Sequence, residues 1–120
     1  MKKILIVDNS SFMRMFVKNI IEKGGFHTIF EASGREDAID IFNIENPDIV
    51  FLDLNMSEST MDGIDVLTEM MKINPKAVVF IISAVGYESV KDKCIELGAK
   101  GYIKKPFDTE DLLKTLEEYK

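Results

Sequence analysis

Three stretches of this chain are almost unbroken aliphatic runs: residues 3–7, Ile49 to Leu52 and Val78 to Ile82. Runs without polar alternation suit strands covered on both faces, as in a parallel sheet. Two shorter and more mixed stretches, His27 to Ala32 and Gly101 to Lys104, read as strands nearer the sheet edges. Between these runs the apolar spacing becomes helical. Phe12, Phe16 and Ile20 recur at every fourth position, with Met13, Val17 and Ile21 beside them, and mark the apolar side of a first helix. Ser10 or Ser11 can cap it and Gly24-Gly25 ends it. Ser33-Gly34-Arg35-Glu36 reads as a capping box ahead of Ala38, Ile41 and Phe42, with Pro47 as the stop. Ile64, Leu67 and Met71 form a third stripe closed by Pro75, and Val90, Cys94 and Leu97 a fourth closed by Gly98. Asp108 or Thr109 opens a fifth, which carries Leu112, Leu116 and Tyr119.

Strict alternation of strand and helix with short connections predicts right-handed βαβ units and a doubly wound α/β parallel sheet. For five strands and five helices, (βα)5, the expected order is the flavodoxin-like 2-1-3-4-5. No linker, repeat or low-complexity stretch divides residues 1–120, so a single domain is expected, large enough to bury a core without staples. Apolar residues at 46% and charged residues at 30% are ordinary for a soluble globular protein. The single cysteine, Cys94, excludes an intrachain disulfide, and a reducing cytoplasm is the natural setting. Asp8 cuts off the apolar run Ile4-Leu5-Ile6-Val7, which is too short for a signal core or a membrane span. A net charge of −6 argues against nucleic acid as a direct partner, because such a partner requires a cationic face.

Candidate chemistry lies where the hydrophobic strands stop. The first ends in Asp8-Asn9, the third in Asp53, the fourth in Ser83 and the fifth in Lys105-Pro106. Open parallel sheets bind ligands outside the carboxyl ends of their strands, so these side chains are expected to share one crevice. Clustered carboxylates repel each other and favour a hard divalent cation. Asp8, Asp53 and a loop carbonyl near Asn55 suit Mg²⁺, while Lys105 and Ser83 can contact phosphoryl oxygens. With metal and lysine neutralising the transferring group, an aspartate is a competent nucleophile toward phosphorus.

These residues resemble the receiver domains of two-component signalling, the CheY-like kind especially. Ile4-Leu5-Ile6-Val7-Asp8 with Ser11-Phe12-Met13-Arg14 is similar to the family's first strand and helix, and Asp48 to Asp53 to the strand bearing its phosphorylated aspartate. Ser83-Ala84 and Lys105-Pro106-Phe107 match its hydroxyl-small pair and its Lys-Pro-Phe turn, whose Lys-Pro bond is usually cis. The resemblance spans essentially the whole chain. It implies that Asp53 accepts a phosphoryl group from a histidine kinase of the CheA-like kind, with Lys105 and Ser83 assisting. It also places Tyr102 at the switch aromatic position and makes Asn9 a direct metal ligand. The implied product is a monomer that needs Mg²⁺, catalyses only its own phosphorylation and dephosphorylation, and meets a motor switch or phosphatase through the fourth helix, fifth strand and fifth helix. No second domain follows Lys120, so output is expected from protein contacts of the receiver itself.

Two departures bear on this. The family's acidic pair is here Asp8-Asn9, and an amide carbonyl can ligate Mg²⁺ but brings no charge. The loop after Asp53 has Ser57 for the usual proline and a two-residue insertion at Ser59-Thr60, which puts metal affinity and loop rigidity in question. Singly, each residue has a plainer reading. Asp8 or Asp53 can be a turn or capping residue, Asn9 a turn residue, Ser83 a helix cap, Lys105 a solvated cation and Tyr102 an edge-strand aromatic. His27 lacks partners at metal spacing. The methionines read as core filler, although Met56, Met61 and Met70 could face a partner. Other functions remain open: a degenerate receiver binding without phosphorylation, a phosphorelay intermediate, or an aspartate-nucleophile hydrolase. The last would need an acid where Asn55 stands. A flavin carrier is disfavoured by Asp8 at the end of the first strand.

Overall fold

Every aliphatic run forms a strand and every helical stripe a helix. The structure, a computed structural model, describes residues 2–54, 61–84 and 88–119, the side chains at 61, 62, 88 and 89 aside. In chain order the elements are β1 (Lys3–Val7), α1 (Ser11–Lys23), β2 (Thr28–Ala32), α2 (Arg35–Glu45), β3 (Ile49–Asp53), α3 (Met61–Ile73), β4 (Val78–Ser83), α4 (Glu88–Glu96), β5 (Gly101–Lys104) and α5 (Thr109–Glu117). The strands form one parallel sheet in the order β2-β1-β3-β4-β5, as expected, with the two mixed strands at its edges. All five residues of the central strand β3 are buried, which explains its uninterrupted hydrophobicity.

The sheet separates two cores. One contains Leu5, Val7, Val50, Leu52, Val79 and Ile81 under Ala38 and Phe42 of α2, Val66, Leu67 and Met70 of α3, and Cys94 of α4. The other contains Ile4, Ile6, Phe51 and Phe80 under Val17, Ile20 and Ile21 of α1 and Leu112 and Leu116 of α5. Gly63 seats α3 on the chain leaving β3. A Cβ there would stand 2.7 Å from both Cα and Cδ2 of Leu54, a contact real atoms do not make, so only glycine allows the approach. Among the described residues no helix is long and apolar enough to cross a membrane.

Local details differ from the sequence reading at three places. Phe12 and Phe16 lie on the solvent side of α1, 74% and 37% exposed, while Val17, Ile20 and Ile21 face the sheet. The apolar set wraps too far round the helix for both edges to meet one sheet. The capping box at residues 33–36 does not form, because α2 starts one residue later and Gly34 becomes its N-cap. Ser33 instead donates its N–H and hydroxyl to Asp37, and Asn46 in the left-handed conformation terminates the helix ahead of Pro47. Met70 is fully buried and so faces no partner. The expected helix starts at Ser10 and Asp108 hold, each side chain accepting from the first turn. The Ser57–Thr60 segment, Met56 and Asn55, with its expected ligand carbonyl, lie outside the described residues.

Candidate functional site

At the carboxyl end of the sheet the polar strand ends converge. Asp53 closes β3 opposite Ile82, and Ser83 closes β4 opposite Lys104. Asp53 is 3% exposed, Asp8 5% and Ser83 fully buried, whereas Asn9 is exposed. The Lys105 N–H donates to the Ser83 carbonyl at 2.8 Å, which carries the parallel ladder of β4 and β5 one residue past the strand and holds Lys105 beside Ser83. From there the Lys105 Nζ donates to Asp53 Oδ1 at 3.3 Å. The Lys105-Pro106 peptide is cis. The structure thus brings Asp8, Asp53, Ser83 and Lys105 to one end of the sheet, with Asn9 on the adjoining turn.

The electrostatics follow from the crowding. Burial pushes the Asp8 carboxyl above the usual carboxylate range, and the neighbouring Asp53, close enough to hydrogen bond with it, pushes the same way. The Ser10 N–H, donating to Asp8 Oδ1 at 2.9 Å, and the Lys105 ammonium oppose the shift. Two buried carboxylates against one ammonium leave surplus negative charge. Such a site fits Mg²⁺, which takes one or two carboxylates and keeps several waters. Among the described residues no group of three or more His, Cys, Asp and Glu side chains forms a richer metal site.

Tyr102 lies on β5 opposite Ile81, packed against the core that also contains Cys94. Side chains alternate along a strand, so Ser83 continues the face of Ile81 and Val79, the face on which Tyr102 packs.

Two features escaped the sequence reading. Arg14 on α1 donates to the main-chain carbonyl of Asp8 and to Glu31 of β2. The available sign was Glu31, a carboxylate inside a largely apolar strand. The second is an apolar groove of about 500 Å³ lined by Met13, Phe16, Ala84, Lys105, Pro106 and Phe107. Periodicity locates an apolar stripe but does not say which part of it the sheet covers.

This fold, with acids at the ends of β1 and β3 and a lysine after β5, defines a class, and the chain belongs to the response regulator receiver domain family, which it matches over residues 4–117. Within it the chain is a two-component receiver of the CheY-like kind. Chemotaxis protein CheY of Thermotoga maritima is 39% identical over 117 residues, covering 98% of this chain and 96% of the relative. Sporulation initiation phosphotransferase F of Bacillus subtilis is 35% identical over 118 residues, covering 98% and 93%. A chain of the CheX-CheY-BeF3-Mg²⁺ complex from Borrelia burgdorferi superposes with a TM-score of 0.89 at 34% identity, over 99% of this chain and 90% of that one.

Proposed function

We propose that residues 1–120 form one cytoplasmic receiver domain that takes a phosphoryl group from a histidine kinase onto Asp53 and thereby changes its affinity for a protein partner in chemotaxis or motility. The observation that carries this reading is the Asp53 carboxylate, buried at the end of the central strand, 3.3 Å from the Lys105 ammonium and crowded by Asp8. In the reaction an Asp53 oxygen attacks phosphorus, the P–N bond of the donor phosphohistidine breaks, and the departing imidazole takes up a proton. Lys105 orients the carboxylate and neutralises charge on the transferring group, and Ser83 hydrogen-bonds a phosphoryl oxygen. Mg²⁺, held by Asp8, Asp53, Asn9 and the Asn55 carbonyl, would supply the remaining neutralisation when bound. The domain acts on itself alone, as stoichiometric acceptor and in its own dephosphorylation. Support for the metal comes from the beryllofluoride- and Mg²⁺-bound complex containing CheY. Incubation with acetyl phosphate and Mg²⁺ should add one phosphoryl group by mass spectrometry, and Asp53→Asn should take up none. Modification persisting in Asp53→Asn sinks the assignment.

Output is read through Ser83 and Tyr102 toward the α4-β5-α5 face, where a motor switch or phosphatase would bind. Drawing the Ser83 hydroxyl onto a phosphoryl oxygen frees space on the face where Tyr102 packs, and the ring can follow inward. Beryllofluoride should raise partner affinity in the wild type and much less in Ser83→Ala or Tyr102→Ala. A full wild-type response in both variants would reroute the signal. A phosphorelay intermediate is the second reading, favoured by the 35% identity with sporulation initiation phosphotransferase F.

A further inference from the structure

We infer that Arg14 is a positioning residue for the crevice: it locks the peptide between Asp8 and Asn9, and Glu31 in turn locks Arg14. This rests on the receiver reading above. Strand β1 ends at Val7, so the Asp8 carbonyl lies beyond the ladder and needs another donor. The flanking groups have theirs: the Asp8 N–H donates to the Ala32 carbonyl at 3.0 Å, and Asp8 Oδ1 accepts from the Ser10 N–H at 2.9 Å. The Asp8 carbonyl is met by the Arg14 guanidinium.

Arg14 is not a loose surface cation. Its side chain is only 17% exposed, its Nε donates to Glu31 Oε1 at 3.3 Å, and Lys18 Nζ stands 3.7 Å from the other Glu31 oxygen. Glu31 sits in β2 opposite Ile6, two residues before Asp8, so the bridge ties α1, β2 and the acidic turn together. A planar guanidinium can serve a carbonyl and a carboxylate at once; an ammonium on a flexible stem holds no such fork. The choice of acceptor matters as much. The guanidinium turns to the Asp8 main-chain carbonyl and to Glu31, while the Asp8 carboxylate takes the Ser10 N–H. Glu31 therefore pairs the cation that holds this turn.

The neutral Asn9 makes this lock more necessary. A carboxylate offers two equivalent oxygens to an ion, whereas an amide offers one and presents a repelling NH₂ if turned over. The peptide plane that Arg14 holds sets where the Asn9 backbone, and so the base of its side chain, stands.

The test is Mg²⁺ affinity and amide exchange, both read by NMR, in wild type, Arg14→Ala, Arg14→Lys and Glu31→Gln. Coulomb's law alone makes removal of a cation beside the site tighten Mg²⁺ binding. The positioning role has the opposite sign: Arg14→Ala should weaken it about 10-fold, as losses of outer-shell partners do. Arg14→Lys should recover part of that, and Glu31→Gln should weaken it less. Without metal, the Ser10 amide should exchange faster in Arg14→Ala while amides of β3 keep their wild-type rates. Unchanged or tighter Mg²⁺ binding in Arg14→Ala overturns the inference, as does wild-type affinity in both Arg14→Lys and Glu31→Gln should the alanine variant not fold. If the wild type neither binds Mg²⁺ nor accepts a phosphoryl group, the receiver reading falls and takes this inference with it. Normal phosphorylation of wild type alongside an unaffected Arg14→Ala sinks the inference alone.

Discussion

Two ion pairs at opposite ends of the sheet have almost the same length and nothing else in common. At the carboxyl end Lys105 Nζ and Asp53 Oδ1 are 3.3 Å apart, with side chains 20% and 4% exposed. At the amino end Lys3 Nζ and Glu45 Oε1 are 3.4 Å apart, with side chains 42% and 33% exposed. Lys3 also donates its ammonium to the Glu45 carbonyl and its main-chain N–H to Asp48, so it ties the start of β1 to the end of α2 and the turn before β3. Water screens the Lys3 pair, and such pairs contribute about 0–1 kcal/mol. The Lys105 pair works at low dielectric beside a second buried carboxylate, where removing a partner leaves charge with no compensation. Distance alone does not distinguish a structural contact from a chemical one; burial and the neighbouring charges do.

Three substitutions would break or sharpen this contrast. The largest effect is expected from Lys105→Ala, which removes the ammonium from the crevice. Phosphorylation by acetyl phosphate at saturating Mg²⁺ should slow by about 100-fold or more, the usual cost of losing a preorganised charge at the transferring group. A rate within a few-fold of wild type would place the two pairs in the same category after all.

Asp8→Asn comes next and is read in stability rather than in rate. Because the folded state holds the Asp8 proton more tightly than the unfolded chain, the contribution of Asp8 to stability in metal-free buffer is fully present below the ordinary carboxylate pKa. It falls as pH rises through the raised folded value. Replacing the carboxyl by an amide erases that step. Chemical denaturation near neutral pH without metal should show a gain of about 1–2 kcal/mol, the size typical of relieving strain at a functional site. A loss of stability, or an unchanged pH profile, would show that the crowding of Asp8 is already relieved in solution.

The smallest effect is expected from Lys3→Ala: a loss of about 1 kcal/mol or less by denaturation, with the phosphorylation rate unchanged. A rate change there would mean that the two ends of the sheet communicate.

Much of this molecule was legible one residue at a time. The runs 3–7, 49–52 and 78–82 announced strands buried on both faces, because a parallel strand under helices on both sides has no wet position to signal. Alternation then determined the strand order, and the strand order determined which residues are last before solvent: Asp8, Asp53, Ser83 and Lys105. Those properties follow from local periodicity and chain connectivity, which a sequence carries directly.

What the tertiary structure decided depends on neighbours distant along the chain. Lys105 meets Asp53 across 52 positions, and Arg14 meets Glu31 across 17. No periodicity encodes either meeting. Phe12 and Phe16 share a helical stripe with Ile20, yet only the packing of α1 on β1 and α5 selected Val17, Ile20 and Ile21 as the buried edge, leaving Phe12 in solvent and Phe16 on the groove beside Lys105. Ser33 had two acids in reach, Glu36 and Asp37, and the helix start chose Asp37. The raised proton affinity of Asp8 is likewise invisible in its own sequence context. It comes from burial and from Asp53, a residue of another strand, since desolvation and charge act through space rather than along the chain.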